Sequence, residues 1–237
     1  MRLWFAVFLC LLTTPAQATC RQALAFGLDV SASVDAREYR LQLDGLASAL
    51  LSPAVQDRIF AMPQAPVALA AFEWSGMRHH RDISGWQLIE TQADLVAFAN
   101  RLRAHQRVRA ASATAIGAAM SYGGRLLVSG PECWRRTLDL SGDGTNNDGT
   151  PPPQLHARMA QAGITVNGLI IGSDRQRGYD ARQMEIMELS AYYRRRVIFG
   201  PGAFIEVAID FADYENAMRR KLLRELSGFV MGALSVE

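Results

Sequence analysis

Apolar segments with strand character alternate with amphipathic segments of helical periodicity along most of this chain. Six segments have the composition of buried strands, at 22–30, 66–72, 77–83, 135–140, 164–171 and 204–208. Six others repeat apolar residues every three or four positions, at 35–51, 91–102, 113–127, 151–162, 180–192 and 210–226. We expect the short segment 77–83 to pair antiparallel at one edge. The alternation therefore predicts an α/β fold, a doubly wound, mainly parallel six-stranded sheet with helices on both faces.

The first 18 residues have the features of a secretory signal peptide. A single early cation, Arg2, precedes an apolar run at 3–12, and Ala16-Gln17-Ala18 supplies a small-residue cleavage site. The apolar run is too short to span a bilayer as a helix. Cleavage would leave residues 19–237, a length that suits a single α/β domain. We therefore expect a secreted or periplasmic protein.

The nearly equal numbers of cationic and anionic side chains argue against a strongly anionic partner. The chain carries 25 Lys and Arg against 23 Asp and Glu, a formal net charge of +2. Nucleic acids and anionic membranes select strongly basic surfaces, so neither is expected as the main partner. No segment after the signal is long and apolar enough to be predicted as a transmembrane helix.

Two cysteines remain after the predicted cleavage. Cys20 lies two residues before the start of the first strand segment, and Cys133 lies two residues before the start of the fourth. Neighbouring parallel strands begin at the same edge of a sheet, and an exported protein enters an oxidising compartment. We therefore predict a disulfide between Cys20 and Cys133.

A cluster of side-chain oxygens begins at the end of the first strand segment. Asp29-Val30-Ser31-Ala32-Ser33 places one carboxylate and two hydroxyls on alternate residues. Alternate residues of an extended segment point the same way, so the three oxygens can face one point. An oxygen-only cluster suits a hard divalent cation, Mg²⁺ before zinc or iron. By itself the motif also fits a strand-to-helix turn in which Ser33 or Asp35 caps the next helix.

Two more oxygen-bearing residues are expected to join this cluster. Asp143 follows the fourth strand segment, and Thr114 stands near the start of the helix predicted at 113–127. Open parallel sheets bind ligands beyond the carboxyl ends of their strands, where the strand order reverses. We expect that reversal between the first and fourth strands, which would bring Asp29 and Asp143 together.

Together the five positions resemble the metal-ion-dependent adhesion site (MIDAS) of von Willebrand factor type A (VWA) domains. That family's pattern is Asp-x-Ser-x-Ser, a distant Thr and a distant Asp after the fourth strand. The matching residues here, in order, are Asp29, Ser31, Ser33, Thr114 and Asp143. The resemblance implies that the three hydroxyls ligate the ion and that the two aspartates hold it largely through water. It also implies a Mg²⁺ cofactor, with Mn²⁺ or Ca²⁺ as alternatives, and a protein partner that supplies a carboxylate.

Several further stretches resemble an uncharacterised bacterial branch of VWA-like domains found in exported proteins. They are 38–42, 72–74, 141–147, 167–169, 200–204 and 220–226. The alternation of strands and helices over essentially the whole chain after the signal peptide also agrees with the VWA resemblance. This resemblance implies a fold and a metal site, but no particular partner.

Other polar motifs fit simpler interpretations. The segment 143–149 departs from an EF-hand calcium loop, because Asp148 occupies the glycine position and Gln154 the closing glutamate position. A tight turn is favoured there, with Asp148 at the rim of the site. His79-His80 is interpreted as a solvated strand pair rather than a metal site. A solvated helix end is favoured over a basic rim for Arg101, Arg103, Arg107 and Arg109.

The sequence favours binding over catalysis, so we expect a protein that is not an enzyme. Asp29 and the later Gly-Asp motif at Asp143 resemble haloacid-dehalogenase-type phosphatases. Those enzymes need a second Asp two residues after the nucleophile as general acid/base, and Ser31 stands there. They also need a cation, usually Lys, before the last motif, and the single lysine is Lys221. A structural envelope domain with a non-functional metal site is the third alternative.

Overall fold

The computed structural model describes residues 20–172 and 179–227, so the predicted signal peptide at 1–18 lies outside the described residues. Within these ranges one six-stranded sheet has the order β3-β2-β1-β4-β5-β6. The strands are β1 (Cys20–Asp29), β2 (Val67–Trp74), β3 (His80–Ile89), β4 (Cys133–Gly142), β5 (Ile164–Ile171) and β6 (Ile205–Ala208). Neighbouring strands are parallel except β2 and β3, which are antiparallel. The predicted doubly wound sheet with one antiparallel edge strand is confirmed.

Helices cover both faces of the sheet. They are α1 (Ala36–Leu50), α2 (Pro53–Ile59), α3 (Gln92–Ala104), α4 (Ile116–Val128), α5 (His156–Gln161), α6 (Tyr179–Arg196) and α7 (Tyr214–Ser227). One buried cluster joins the sheet to α1, α2, α3 and α7, and a second joins the other face to α4, α5 and α6. No helix in the described ranges is both long and apolar enough to cross a membrane.

Local structure differs from the sequence prediction at a few boundaries. The edge strand β3 spans ten residues rather than the short 77–83, because it pairs along the length of β2 with two irregularities in register. The helices predicted at 151–162 and 210–226 each begin with a 3₁₀ turn, at Pro152–Leu155 and Phe211–Asp213. A capping box stabilises the N-terminus of α1. The side chains of Asp35 and Glu38 each accept a hydrogen bond from the other residue's backbone N–H.

The two strands at the centre of the sheet are linked covalently where they begin. Cys20 and Cys133 lie opposite each other in the β1–β4 register, with a Cα–Cα distance of 4.5 Å, and form a disulfide. This confirms the pairing predicted from the sequence. The bond joins residues 113 positions apart, and closing a loop of that length stabilises a fold by about 4–5 kcal/mol in the chain-entropy model.

Helix α7 is attached to the sheet by buried charges. Lys221 is fully buried, and its ammonium donates to Asp139 on β4 and to Glu225 one turn further along α7, the second at 2.6 Å. The amide of Asn167 on β5 also donates to Glu225, at 2.6 Å. Burial opposes the charge on the ammonium, but the two carboxylates outweigh it and raise the pKa of Lys221. The helix is therefore held in one register on β4 and β5.

Replacing Lys221 with Met should lower the free energy of unfolding by about 3–5 kcal/mol, because it leaves the Asp139 charge buried and uncompensated. Arg220→Met is a matched control on the same helix. Arg220 is half exposed, and its pairs with Glu206 and Asp213 are surface ion pairs worth about 0–1 kcal/mol. Chemical denaturation followed by circular dichroism measures both variants. Equal losses would contradict a structural role for Lys221.

Candidate metal centre

The oxygen cluster lies where the strand order reverses. Asp29 is the last residue of β1, and Asp143 directly follows β4, the parallel neighbour of β1. After β1 the chain builds β2 and β3 on one side, then crosses to build β4 on the other side. Both carboxylates therefore stand at the same crevice beyond the carboxyl ends of the strands, as the sequence predicts.

Hydrogen bonds run continuously from Asp29 to Asp143 through the two serines. The backbone N–H of Ser31 donates to Asp29 Oδ1 at 2.8 Å. The hydroxyl oxygens of Ser31 and Ser33 are 3.0 Å apart, and the Ser33 hydroxyl donates to Asp143 Oδ1 at 2.6 Å. Four of the five predicted residues, all but Thr114, are therefore linked in one chain of hydrogen bonds. Every polar side-chain atom that these four residues contribute is an oxygen.

Thr114 reaches the same cluster from the loop before α4. A Cβ added to Gly144, next to Asp143, would lie 3.7 Å from Thr114 Oγ1. Two hydrogen bonds fix Thr114 to the turn after β4: its N–H donates to Asn147 Oδ1 at 2.8 Å, and its carbonyl accepts from Asn147 N at 2.9 Å. The predicted hydroxyl therefore lies beside the Asp143 turn, and Asn147 holds it there.

The carboxylate of Asp29 is buried, and one of its two oxygens lacks a hydrogen-bond partner in the described part of the chain. Its side chain is fully buried, and Oδ2 has no hydrogen-bond partner among the described residues. Burial, followed by the neighbouring charge of Asp143, raises the pKa of Asp29 to about 8. A buried carboxylate normally requires a charged or hydrogen-bonding partner. The free oxygen and the adjacent carboxylate make this position suited to a cation.

The back wall of the site comes from residues that the sequence did not single out. A Cβ at Gly142 would lie 2.7 Å from the Tyr193 hydroxyl and 3.2 Å from Asp29 Oδ2, so glycine lets these groups approach. The Tyr193 hydroxyl is itself buried, with no partner in the described part of the chain. Burial, and then the charges of Asp29 and Asp143, raise the pKa of Tyr193 well above its usual value. It therefore stays neutral beside the cluster.

Backbone carbonyls near Asp29 are held by long side chains. Gln42 on α1 donates to the carbonyl of Asp29 at 3.0 Å, and Arg107 donates to the carbonyl of Val30 at 3.3 Å. The interpretation of Arg107 as part of a solvated helix end is therefore wrong, because it braces the turn that carries the serines. Asp148, which the sequence predicts at the rim of the site, accepts a hydrogen bond from Met77 N at 3.0 Å.

A second buried network lies at the carboxyl end of β2. The Glu73 carboxylate is 1% exposed and accepts hydrogen bonds from Tyr39 at 2.5 Å and from His79 and His105, each at 3.2 Å. His80 turns to the opposite face and stacks on Tyr122, with ring centroids 5.1 Å apart. The two histidines do point to opposite faces, but both are engaged, so their interpretation as a solvated pair is wrong.

Histidine, cysteine and carboxylate side chains do not gather into a metal site of their own. Within 20–172 and 179–227, no group of three or more His, Cys, Asp or Glu side chains is arranged to hold a metal ion. The oxygen cluster contains only two such residues, Asp29 and Asp143, and hydroxyls make up the rest of its donors. A metal at this site would depend on serine and threonine oxygens.

Comparison with known proteins places the chain in a family. A family model described as "Protein of unknown function (DUF1194)" matches residues 19–230. The chain belongs to the DUF1194 family. No curated protein matches this DUF1194 chain significantly by sequence.

Solved structures assign the fold of this DUF1194 protein to the VWA class. Proximal thread matrix protein 1 from mussel byssus is 15% identical with a TM-score of 0.57, over 89% of this chain and 49% of that one. A von Willebrand factor type A protein from Catenulispora acidiphila is 16% identical with a TM-score of 0.55, over 87% and 43%. The pilus adhesin SpaC from Lactobacillus rhamnosus GG is 10% identical with a TM-score of 0.54, over 90% and 31%.

The chain spans about half or less of the length of these solved chains. At such low identity the likeness shows the fold alone. A further structure of the mussel protein, 16% identical with a TM-score of 0.57, has a zinc-occupied MIDAS motif. The VWA fold and the resemblance stated from the sequence therefore agree.

Gly117→Ala should destabilise the protein by about 1–3 kcal/mol, because a Cβ there would overlap the carbonyl oxygen of Thr150. Gly117 N also donates to Asn146 Oδ1 at 3.1 Å, so the strain falls on the turn that carries Asp143. Gly85→Ala is the control, since a Cβ there meets nothing within 4 Å. Thermal unfolding should show a lower midpoint for Gly117→Ala alone. Indistinguishable midpoints would contradict this close contact.

Proposed function

We propose that this protein is an exported VWA-like binding module that holds Mg²⁺ and captures an acidic group of a protein partner. The ion would be held by the hydroxyls of Ser31, Ser33 and Thr114, with Asp29 and Asp143 beside them. The observation that carries the proposal is the buried, unpartnered Oδ2 of Asp29 in a hydrogen-bonded cluster that includes a second carboxylate.

The donor chemistry supports a hard cation. Every candidate ligand is a hydroxyl or a carboxylate oxygen, the type that Mg²⁺, Mn²⁺ and Ca²⁺ prefer over zinc or copper. A cation held mainly by neutral hydroxyls keeps much of its positive charge. Mg²⁺ also retains exchangeable waters, so an outside carboxylate can replace one of them. The chain's own residues would therefore position the ion and leave room for a partner.

Similar structures support binding as the role of the site. The mussel thread protein has a MIDAS motif that accepts zinc, and the similar SpaC chain is a pilus adhesin. Both have the same fold at low identity, so they support the proposal by analogy. Mg²⁺ remains our choice for this chain because its cluster lacks the histidine and cysteine ligands that zinc favours.

Catalysis of the haloacid-dehalogenase type has little support. Ser31 occupies the position where such a phosphatase needs its acid/base, and this hydroxyl is engaged with Ser33. The only lysine of the chain, Lys221, is fully buried between Asp139 and Glu225, so it is not placed to hold a phosphoryl group. We therefore propose that the protein is not an enzyme.

Export is part of the proposal for two reasons. Residues 1–18 have the pattern of a signal peptide. The disulfide between Cys20 and Cys133 is a bond typical of oxidising compartments such as the periplasm or the cell exterior.

Calorimetric titration of the purified protein with Mg²⁺ and Mn²⁺ tests the metal site. The unchanged protein should bind both ions, and Asp29→Asn should weaken binding by about 10- to 100-fold, because Asp29 orients the serine turn. Asp57→Asn is the control: it removes a carboxylate from the exposed side of α2, which contacts the start of β1 and lies away from the cluster, so binding should be unchanged. Absence of binding in the unchanged protein, or equal binding by Asp29→Asn, would contradict the metal site. Such a result would favour a structural domain with a non-functional site.

Capture of envelope proteins on the immobilised protein tests the partner. Proteins retained in Mg²⁺ should elute with EDTA and should not bind Asp29→Asn. Methyl esterification of the captured proteins should abolish the interaction, since it removes their carboxylate charge. Capture that survives both EDTA and esterification would contradict recognition of a carboxylate through the ion.

A further inference from the structure

A second polar site lies at the amino ends of the parallel strands, whereas the oxygen cluster lies beyond their carboxyl ends. A cavity of about 680 Å³ opens where β1, β4 and β5 begin, and the loop 199–204 and the last turn of α7 close its sides. This volume is within the range of small-molecule sites in proteins. The cavity shares no residue with the candidate metal centre.

Two residues that line the cavity each have a buried side-chain oxygen without a hydrogen-bond partner in the described ranges. Gln22 is 2% exposed, and its amide nitrogen donates to Thr137 at 3.2 Å, while its Oε1 has no partner in the described ranges. Glu225 is 6% exposed; its Oε1 accepts from Lys221 and Asn167, while Oε2 has no partner there either. Both residues line the cavity. A ligand with hydrogen-bond donors would satisfy both atoms.

The charges of the buried groups around Glu225 favour a ligand with a cationic hydrogen-bond donor. Lys221 is shared by two buried carboxylates, Asp139 and Glu225, so the cluster holds one positive charge for two acids. Burial, and then Asp139, raise the pKa of Glu225 to about 8, so a proton balances the cluster at neutral pH. An ammonium group entering from the cavity would replace that proton and leave two cations for two carboxylates.

Three arginines also line the cavity, so it has cationic groups as well as the acceptors of Gln22 and Glu225. Arg135 and Arg136 at the start of β4 line it together with Arg224 from α7. The guanidinium of Arg224 stacks on the Phe204 ring, 3.9 Å from its centroid, so this cation is already positioned. Arg136 Nε is buried and has no partner among the described residues. Guanidinium groups in such a position match a carboxylate on a ligand.

We propose that this cavity binds a small zwitterion of the amino-acid or short-peptide class, with its ammonium at Glu225 and Gln22 and its carboxylate at the three arginines. Apolar side chains of the ligand would contact Phe199, Phe204 and Trp134, which also line the cavity. The volume exceeds that of a single amino acid, so a dipeptide with apolar side chains fits the site better.

Calorimetric titration with the dipeptide Leu-Leu tests the proposal, with two modified forms as comparisons. N-acetyl-Leu-Leu lacks the ammonium, and Leu-Leu amide lacks the carboxylate. We expect Leu-Leu to bind the full protein and each modified form to bind at least tenfold more weakly. Absence of binding by Leu-Leu, or equal binding by all three, would overturn the proposal.

Three variants locate the binding site. Glu225→Gln keeps the size of the side chain but cannot give up a proton to become a carboxylate, so it should abolish the preference for Leu-Leu over its acetylated form. Arg224→Gln should abolish the preference for Leu-Leu over the amide. Arg158→Gln should change neither preference, because Arg158 lines a neighbouring cavity of about 440 Å³ and not this one. Preferences unchanged in all three variants would also overturn the proposal. Mg²⁺ titration of the same variants reports on the metal centre independently.

Discussion

Parallel pairing of β1 with β4 is the constraint on which the rest of the structure depends. It brings together strands separated by more than 100 residues, and the disulfide Cys20–Cys133 holds them where they begin. At their carboxyl ends the same pairing brings Asp29 to Asp143, because the chain crosses over β1 between them. Neither carboxylate has the surroundings of a metal centre without this pairing. Stability and the candidate site therefore depend on one set of backbone hydrogen bonds.

The structure contains two pairs of neighbouring carboxylates, Asp139 with Glu225 and Asp29 with the half-buried Asp143, and their charges are compensated differently. Asp139 and Glu225 share the ammonium of Lys221, which fixes α7 on the sheet. Asp29 and Asp143 are instead connected through the backbone N–H of Ser31 and the hydroxyls of Ser31 and Ser33. Hydroxyls satisfy hydrogen bonds but supply no positive charge, so the second pair favours a cation from solution. The first pair fixes α7 and leaves two oxygens, Asp139 Oδ2 and Glu225 Oε2, without a partner among the described residues, and the second has the chemistry of a metal site.

The sequence predicts the sheet and most of the helices, because apolar runs and helical periodicity are local properties, but it misses α2 and gives β3 the wrong bounds. Asp29, Ser31, Ser33, Thr114 and Asp143 are identified because they stand at strand ends or a helix start and together resemble, in order, the MIDAS pattern of VWA domains. Tyr193 and Asn147 are not identified as parts of the site, since their roles depend on contacts with residues far along the chain. Glu73 gives one usable signal, a carboxylate directly after an apolar run, which requires buried partners such as His79 and His105.

The central claim is that the oxygen cluster at the β1–β4 crevice holds a divalent cation. Anomalous diffraction from crystals grown with Mn²⁺ tests it most directly, because the signal locates the ion without reference to binding strength or stability. The account predicts one strong peak within ligand distance of the Ser31 and Ser33 hydroxyls and close to Thr114. A crevice without a peak, or a peak at Glu73 between His79 and His105 instead, would contradict it.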